Sequence, residues 1–132
     1  MDKRFKYHLA RLTEYMCNNG CTLKPLPNVS IKADDAEAQN IFGKTAYYDP
    51  ASKTVVLYVS GRHPKDILRS FAHEMIHHSQ NLNGEMTQDT MMGAEDPQYA
   101  QKNNGLRDLE KDAFLRGNIL FRDYCDNLKY GK

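Results

Sequence analysis

The 132-residue chain has no tryptophan and only three cysteines, Cys17, Cys21 and Cys125. An odd and small set of cysteines argues against a disulfide scaffold and fits a reducing compartment. Charge of one sign is lacking too, since 18 Lys and Arg face 17 Asp and Glu for a net charge of +1. A dedicated nucleic-acid binder normally carries a basic surplus to displace counterions, so no nucleic-acid partner is expected. No apolar run approaches the roughly 18–20 residues that span a bilayer, and Met1-Asp2-Lys3-Arg4 lacks a signal peptide's apolar stretch. These absences leave a cytoplasmic protein without a membrane partner as the expectation. Its length suits a single domain over residues 1–132, with 40% hydrophobic residues for one modest core.

The periodicities lay out the elements. Phe5, Leu9, Leu12 and Met16 form one apolar stripe on an amphipathic helix over residues 3–18, and Asn18-Asn19-Gly20 is a suitable stop. Pro25 and Pro27 break any helix, Asn28–Lys32 reads as a short strand, and Asp34–Asn40 suits one helical turn. The β-rich runs 44–48 and 54–59 flank Asp49-Pro50-Ala51-Ser52-Lys53, which predicts a hairpin. Pro64 suits the first turn of a helix running to about Gln80, with His63 as its cap. Residues 82–105 are polar, Met-rich and without period, and a last helix spans Leu106 to about Leu128. The fold class expected is α+β: a helix, three strands, a helix, a long loop and a helix.

One motif carries chemistry, His73-Glu74-Met75-Ile76-His77. At about 100° per residue, side chains at i and i+4 project from one side of a helix a turn apart, so both imidazoles converge on one metal ion. The glutamate between them reaches the water on that metal and serves as general base. The helical context supports this, because Ile67, Leu68, Phe71, Ala72, Met75 and Ile76 share the opposite, buried side. Asp66, Arg69, Ser70 and Gln80 share the histidine side. His78 points toward the apolar flank and is expected to pack or to orient neighbours by hydrogen bonding.

A catalytic zinc needs a third protein ligand and an open position. Glu110 is the best candidate, because Ala113 and Gly117 follow it on the same helix face and would let two helices approach closely. The competing reading is a solvated glutamate. Glu85, Asp89, Glu95 and Asp96 in the long loop, and Asp112 in the helix, are alternative ligands, although Asp112 points away from Glu110 on the wheel.

The hairpin, the His73–His77 helix and the later Glu110-Lys111-Asp112-Ala113 helix resemble the gluzincin clan of zinc metallopeptidases. The nearest likeness is to the small single-domain minigluzincins, including bacteriophage forms, over about residues 44–124. The resemblance implies a zincin-like minimal domain in which His73, His77 and Glu110 bind Zn2+, Glu74 is the catalytic base and a peptide or protein is the substrate. It also implies that Thr54–Val59 is the edge strand that receives extended substrate. Phe114 departs from the pattern, standing where thermolysin-like members place an Asp that supports a histidine ligand. No residue matches the oxyanion-stabilising Tyr or His of larger members; Tyr99 is the nominee, with Tyr48 and Tyr58 dependent on strand facing. The rival reading is an inactive, metal-stabilised module that binds a partner protein.

Overall fold

Helix α1, Lys3–Asn18, buries Phe5, Leu9, Leu12 and Met16 as its stripe requires. It ends in a Schellman-type cap. The Cys21 N–H donates to the Met16 carbonyl at 3.1 Å and the Gly20 N–H to that of Cys17 at 3.4 Å. This closure needs Gly20 at φ 96°, where a side chain would be strained. The computed structural model describes residues 3–33, 45–85 and 104–130. The expected turn at Asp34–Asn40, Tyr99, and the acids Asp89, Glu95 and Asp96 lie outside those residues.

Three strands follow: β1, Asn28–Lys32; β2, Ala46–Asp49; and β3, Thr54–Tyr58. The sheet order is β1-β3-β2, with β1 parallel to β3 and β2 antiparallel to it. The hairpin turn is held by Asp49, whose carboxylate accepts from the Ala51 N–H at 3.1 Å and the Ser52 hydroxyl at 2.8 Å. Alternation sends Val55 and Leu57 into the core, with Ile31, Ala46 and Tyr48 packed against it. This corrects one expectation. The Thr54–Val59 run supplies the central strand of the sheet, paired on both sides, so its main chain is not free to receive a substrate.

Helix α2, Pro64–Leu82, starts as predicted: the His63 side chain caps it by accepting from the Lys65 N–H at 3.1 Å, and Pro64 opens the first turn. Arg62, just before the cap, ties the hairpin to this helix. Its Nη1 donates to the carbonyls of Thr45 and Tyr58, both at 2.7 Å, and its Nη2 to the Ser70 hydroxyl at 2.7 Å. Ile67, Leu68, Phe71, Ala72, Met75 and Ile76 are buried. Full burial of each of these side chains larger than Ala72 contributes about 1.5–3 kcal/mol.

His78 is fully buried and joins three segments. Its Nε2 lies 2.8 Å from the Pro25 carbonyl and 3.3 Å from that of Leu23. Carbonyls only accept, so Nε2 carries the proton, and Nδ1 accepts from the Tyr48 hydroxyl at 2.8 Å. Asn81 completes the set, donating to the Tyr48 oxygen at 2.9 Å and to the Pro50 carbonyl at 3.0 Å. The reading of His78 from the sequence is borne out: it is a packing and hydrogen-bonding residue.

Helix α3, Asn104–Tyr130, lies mainly along α2 and buries Leu109, Ala113, Phe121 and Tyr124. The Tyr124 hydroxyl meets His8 Nδ1 of α1 at 2.8 Å. The architecture is therefore α+β, with three helices and a small mixed sheet among the described residues. No helix there is long and apolar enough to cross a membrane. If the His78 network fastens the sheet to α2, His78→Ala costs about 3 kcal/mol, because it leaves a cavity and strands buried partners. Tyr48→Phe, which removes one hydroxyl, costs about 1 kcal/mol. Urea denaturation of the metal-free protein measures both.

Candidate metal centre

His73 and His77 stand one turn apart on α2, their ring centroids separated by 5.0 Å. Both turn Nε2 toward α3, where the Glu110 carboxylate meets them. Oε2 lies 3.4 Å from His73 Nε2, and Oε1 lies 3.2 Å from His77 Nε2. Each residue offers a ligand atom within 4.8 Å of the other two. Two donors bound tetrahedrally at the usual zinc–nitrogen and zinc–oxygen lengths stand about 3.3 Å apart. The two imidazole–carboxylate separations already match that value.

The donor chemistry is compatible with a bound cation. His77 faces an acceptor at each ring nitrogen, Glu110 Oε1 at Nε2 and Gln80 Oε1 at Nδ1, the latter at 2.9 Å. A neutral imidazole has one N–H and would leave one of these contacts without a hydrogen. Two arrangements satisfy both: a second proton, or a metal ion in place of the Nε2 proton. Burial works to lower the His77 pKa, but the hydrogen bond to Glu110 and the charges of Glu74 and Glu110 overcome it, so the net shift is upward. The reciprocal hydrogen bonds from His73 and His77 hold the Glu110 carboxyl well below the ordinary carboxylate range.

Glu74, next to the first histidine, is buried. Burial raises its carboxyl above the ordinary range, opposed by the nearby His77 and His73. A carboxylate disfavoured as an anion, beside a site that gathers positive charge, is a proton acceptor of adjustable strength.

Helix packing explains how Glu110, whose side chain is half exposed, reaches two residues on another helix. Ala113 is fully buried, and Gly117 sits against the backbone of His73 itself. A Cβ on Gly117 would lie 3.1 Å from both His73 Cα and His73 N. The small residues picked out in the sequence therefore do what was expected of them.

Among the competing ligands, Asp112 turns away from the cluster. It accepts from Gln80 Nε2 at 2.9 Å and from Arg116 at 2.7 and 2.6 Å. Glu85, the described loop acid, is not in the cluster, and the other loop acids lie outside the described residues. Phe114 is largely exposed. Tyr48 is engaged with His78, and alternation puts Tyr58 beside Tyr47 on the sheet face opposite Val55, so neither strand tyrosine joins the cluster. The nominee Tyr99 lies outside the described residues.

Sequence reasoning missed the role of Gln80. It placed Gln80 on the histidine face, which holds, but that face is covered by α3 there and Gln80 is fully buried. Its spacing of i+3 from His77 was the available signal. Comparison with models of protein families, with characterised proteins and with solved structures gives no match.

Gly117→Ala gains about 1 kcal/mol of helix propensity but overpacks a backbone-to-backbone contact, which costs about 1–3 kcal/mol. The expected result is a less stable protein with weaker metal binding, measured by denaturation and chelator competition. The pKa shifts set a second expectation for the metal-free protein. Glu110, depressed in the fold, contributes stability present above the ordinary Glu value of 4.5 and lost as pH falls below it. His77, raised in the fold, contributes stability present below the ordinary His value of 6.5 and lost as pH rises through its folded value. The thermal midpoint should therefore peak between the two, and Glu110→Gln should flatten that peak.

Proposed function

We propose that this protein is a zinc-dependent endopeptidase of gluzincin type. The observation that carries the reading is the placement of Glu110 against both histidines of the His73–His77 motif, with the buried Glu74 adjoining them. Two imidazoles and one carboxylate suit a divalent cation of borderline softness and leave room for an open coordination position, the composition of a catalytic rather than a structural zinc site. When bound, zinc supplies Lewis-acid polarisation of the scissile carbonyl and acidifies water to a usable nucleophile.

The remaining steps belong to the chain's own residues. His73, His77 and Glu110 hold the ion. Glu74 takes the proton from the attacking water and passes it to the departing amine. A purely structural site has no need of such a base. Extended substrate would pair with a sheet edge; among the described residues the outer strands are β1 and β2, and β2 packs against α2.

Metal analysis by mass spectrometry tests the reading. Wild type should hold about one zinc per chain. His77→Ala and Glu110→Ala should lose most of it, whereas Glu74→Gln should keep it and lose peptide hydrolysis by about 10²–10⁴-fold. Zinc retained by Glu110→Ala, or no zinc in wild type under zinc-replete conditions, overturns it. Zinc without hydrolysis of any peptide in a diverse library supports the partner-binding module instead.

A further inference from the structure

Gln80 is one of the side chains that join α2 to α3 beside the ligand cluster. Its Oε1 lies 2.9 Å from His77 Nδ1. Its Nε2 donates to the Leu109 carbonyl at 3.0 Å and to Asp112 Oδ2 at 2.9 Å. A glutamine amide is ambiguous, since either end can face a neighbour. Here the neighbours remove the ambiguity. A carbonyl and a carboxylate only accept, so the NH2 end must face α3 and the oxygen must face His77. The Asp112 carboxylate is fixed in turn by the two-pronged contact with Arg116, at 2.7 and 2.6 Å.

We propose that Gln80 is the positioning residue of this metal centre: oriented by Asp112 and Leu109, it accepts the Nδ1 proton of His77 and so leaves Nε2 as the nitrogen free to bind the cation. The inference rests on the metal-site reading above and adds to it what aims the second ligand. A reversed amide would present N–H groups to Nδ1, drive the imidazole proton to Nε2 and block the ligand atom. The same side chain also serves the third ligand. Leu109 immediately precedes Glu110, so the Gln80–Leu109 bond holds the Glu110 backbone in register with His77. Gln80 is fully buried, which makes each of these bonds costly to leave unmade.

Two substitutions separate aiming from simple helix tethering. Gln80→Leu removes both functions; Gln80→Glu keeps an acceptor for His77 but loses the donors to Leu109 and Asp112. Zinc affinity, read by chelator competition, should fall about 10–100-fold in Gln80→Leu. In Gln80→Glu, which keeps the acceptor for His77 but loses the tether behind Glu110, it should fall clearly less than in Gln80→Leu. In long-range ¹H–¹⁵N spectra of the zinc-loaded wild type, the His77 Nδ1 proton should be protected from exchange, and that protection should vanish in Gln80→Leu. Equal loss of affinity in both variants, or wild-type affinity in Gln80→Leu, overturns the proposal. Should Gln80→Leu not fold, Asp112→Ala asks the same question from a partly exposed position: weakened zinc binding supports the proposal and unchanged binding overturns it. If wild type binds no zinc, the metal reading fails. The positioning role then falls with it, whereas zinc binding by wild type with undiminished affinity in Gln80→Leu overturns the positioning role alone.

Discussion

The distance between α2 and α3 governs the site. Helices usually pack with axes about 8–10 Å apart, at a separation set by the side chains between them. Here the contact at Gly117 is with the main chain of His73, the very residue that offers the first imidazole. Ala113 keeps the interface narrow one turn closer to Glu110. The short stripe Glu110, Ala113, Gly117 is thus one device. Two positions give up bulk so that the third can extend a carboxylate across the gap to two nitrogens. Bulk at position 117 would act on the ligand geometry through the whole helix, because a backbone neighbour has no rotamer by which to yield.

Helix α2 has two polar sides, and consecutive residues divide between them. His77 and Gln80 face α3, while His78 and Asn81 face the sheet and the Leu23–Pro25 segment. The step of about 100° per residue makes this division automatic for any adjacent pair. Each polar set is an i, i+3 pair, and each is closed by hydrogen bonds to main-chain carbonyls on a different element. Rolling α2 about its axis would break one set or the other. The histidines that offer ligand atoms are therefore held in angle by contacts on the far side of their own helix.

Much of this was legible in the sequence because it rests on local rules. The stripe of α1, the Gly20 stop, the His63 cap, the hairpin, and the grouping of His73, His77 and Glu110 all follow from spacing within one element or from small residues that permit contact. The exceptions involve pairing between distant segments. Nothing local in Thr54–Tyr58 reveals that Asn28–Lys32 lies parallel along its free side, so β3 looked like an edge strand and is the central one. Gln80 was assigned to the correct face, but the wheel does not show which stretch of that face another helix covers. Asp112 was correctly read as turned away from Glu110; its partner, 32 residues earlier on α2, has no signature in the sequence around it.

Because Glu110 follows His77 by 33 positions, the three ligands are far less local than the His73–His77 pair. A cation gripped by all of them closes a ring of chain that includes everything between α2 and α3. Such a ring restricts the unfolded chain much as a covalent staple would, and the binding energy is added to the folded state in proportion to the logarithm of free metal. In a chain with three free cysteines among its described residues and one modest core, a cross-link of that kind would add to the stability the core supplies. Metal supply would then govern how long the protein survives as well as what it can do, and a chelator would act on it as a mild denaturant.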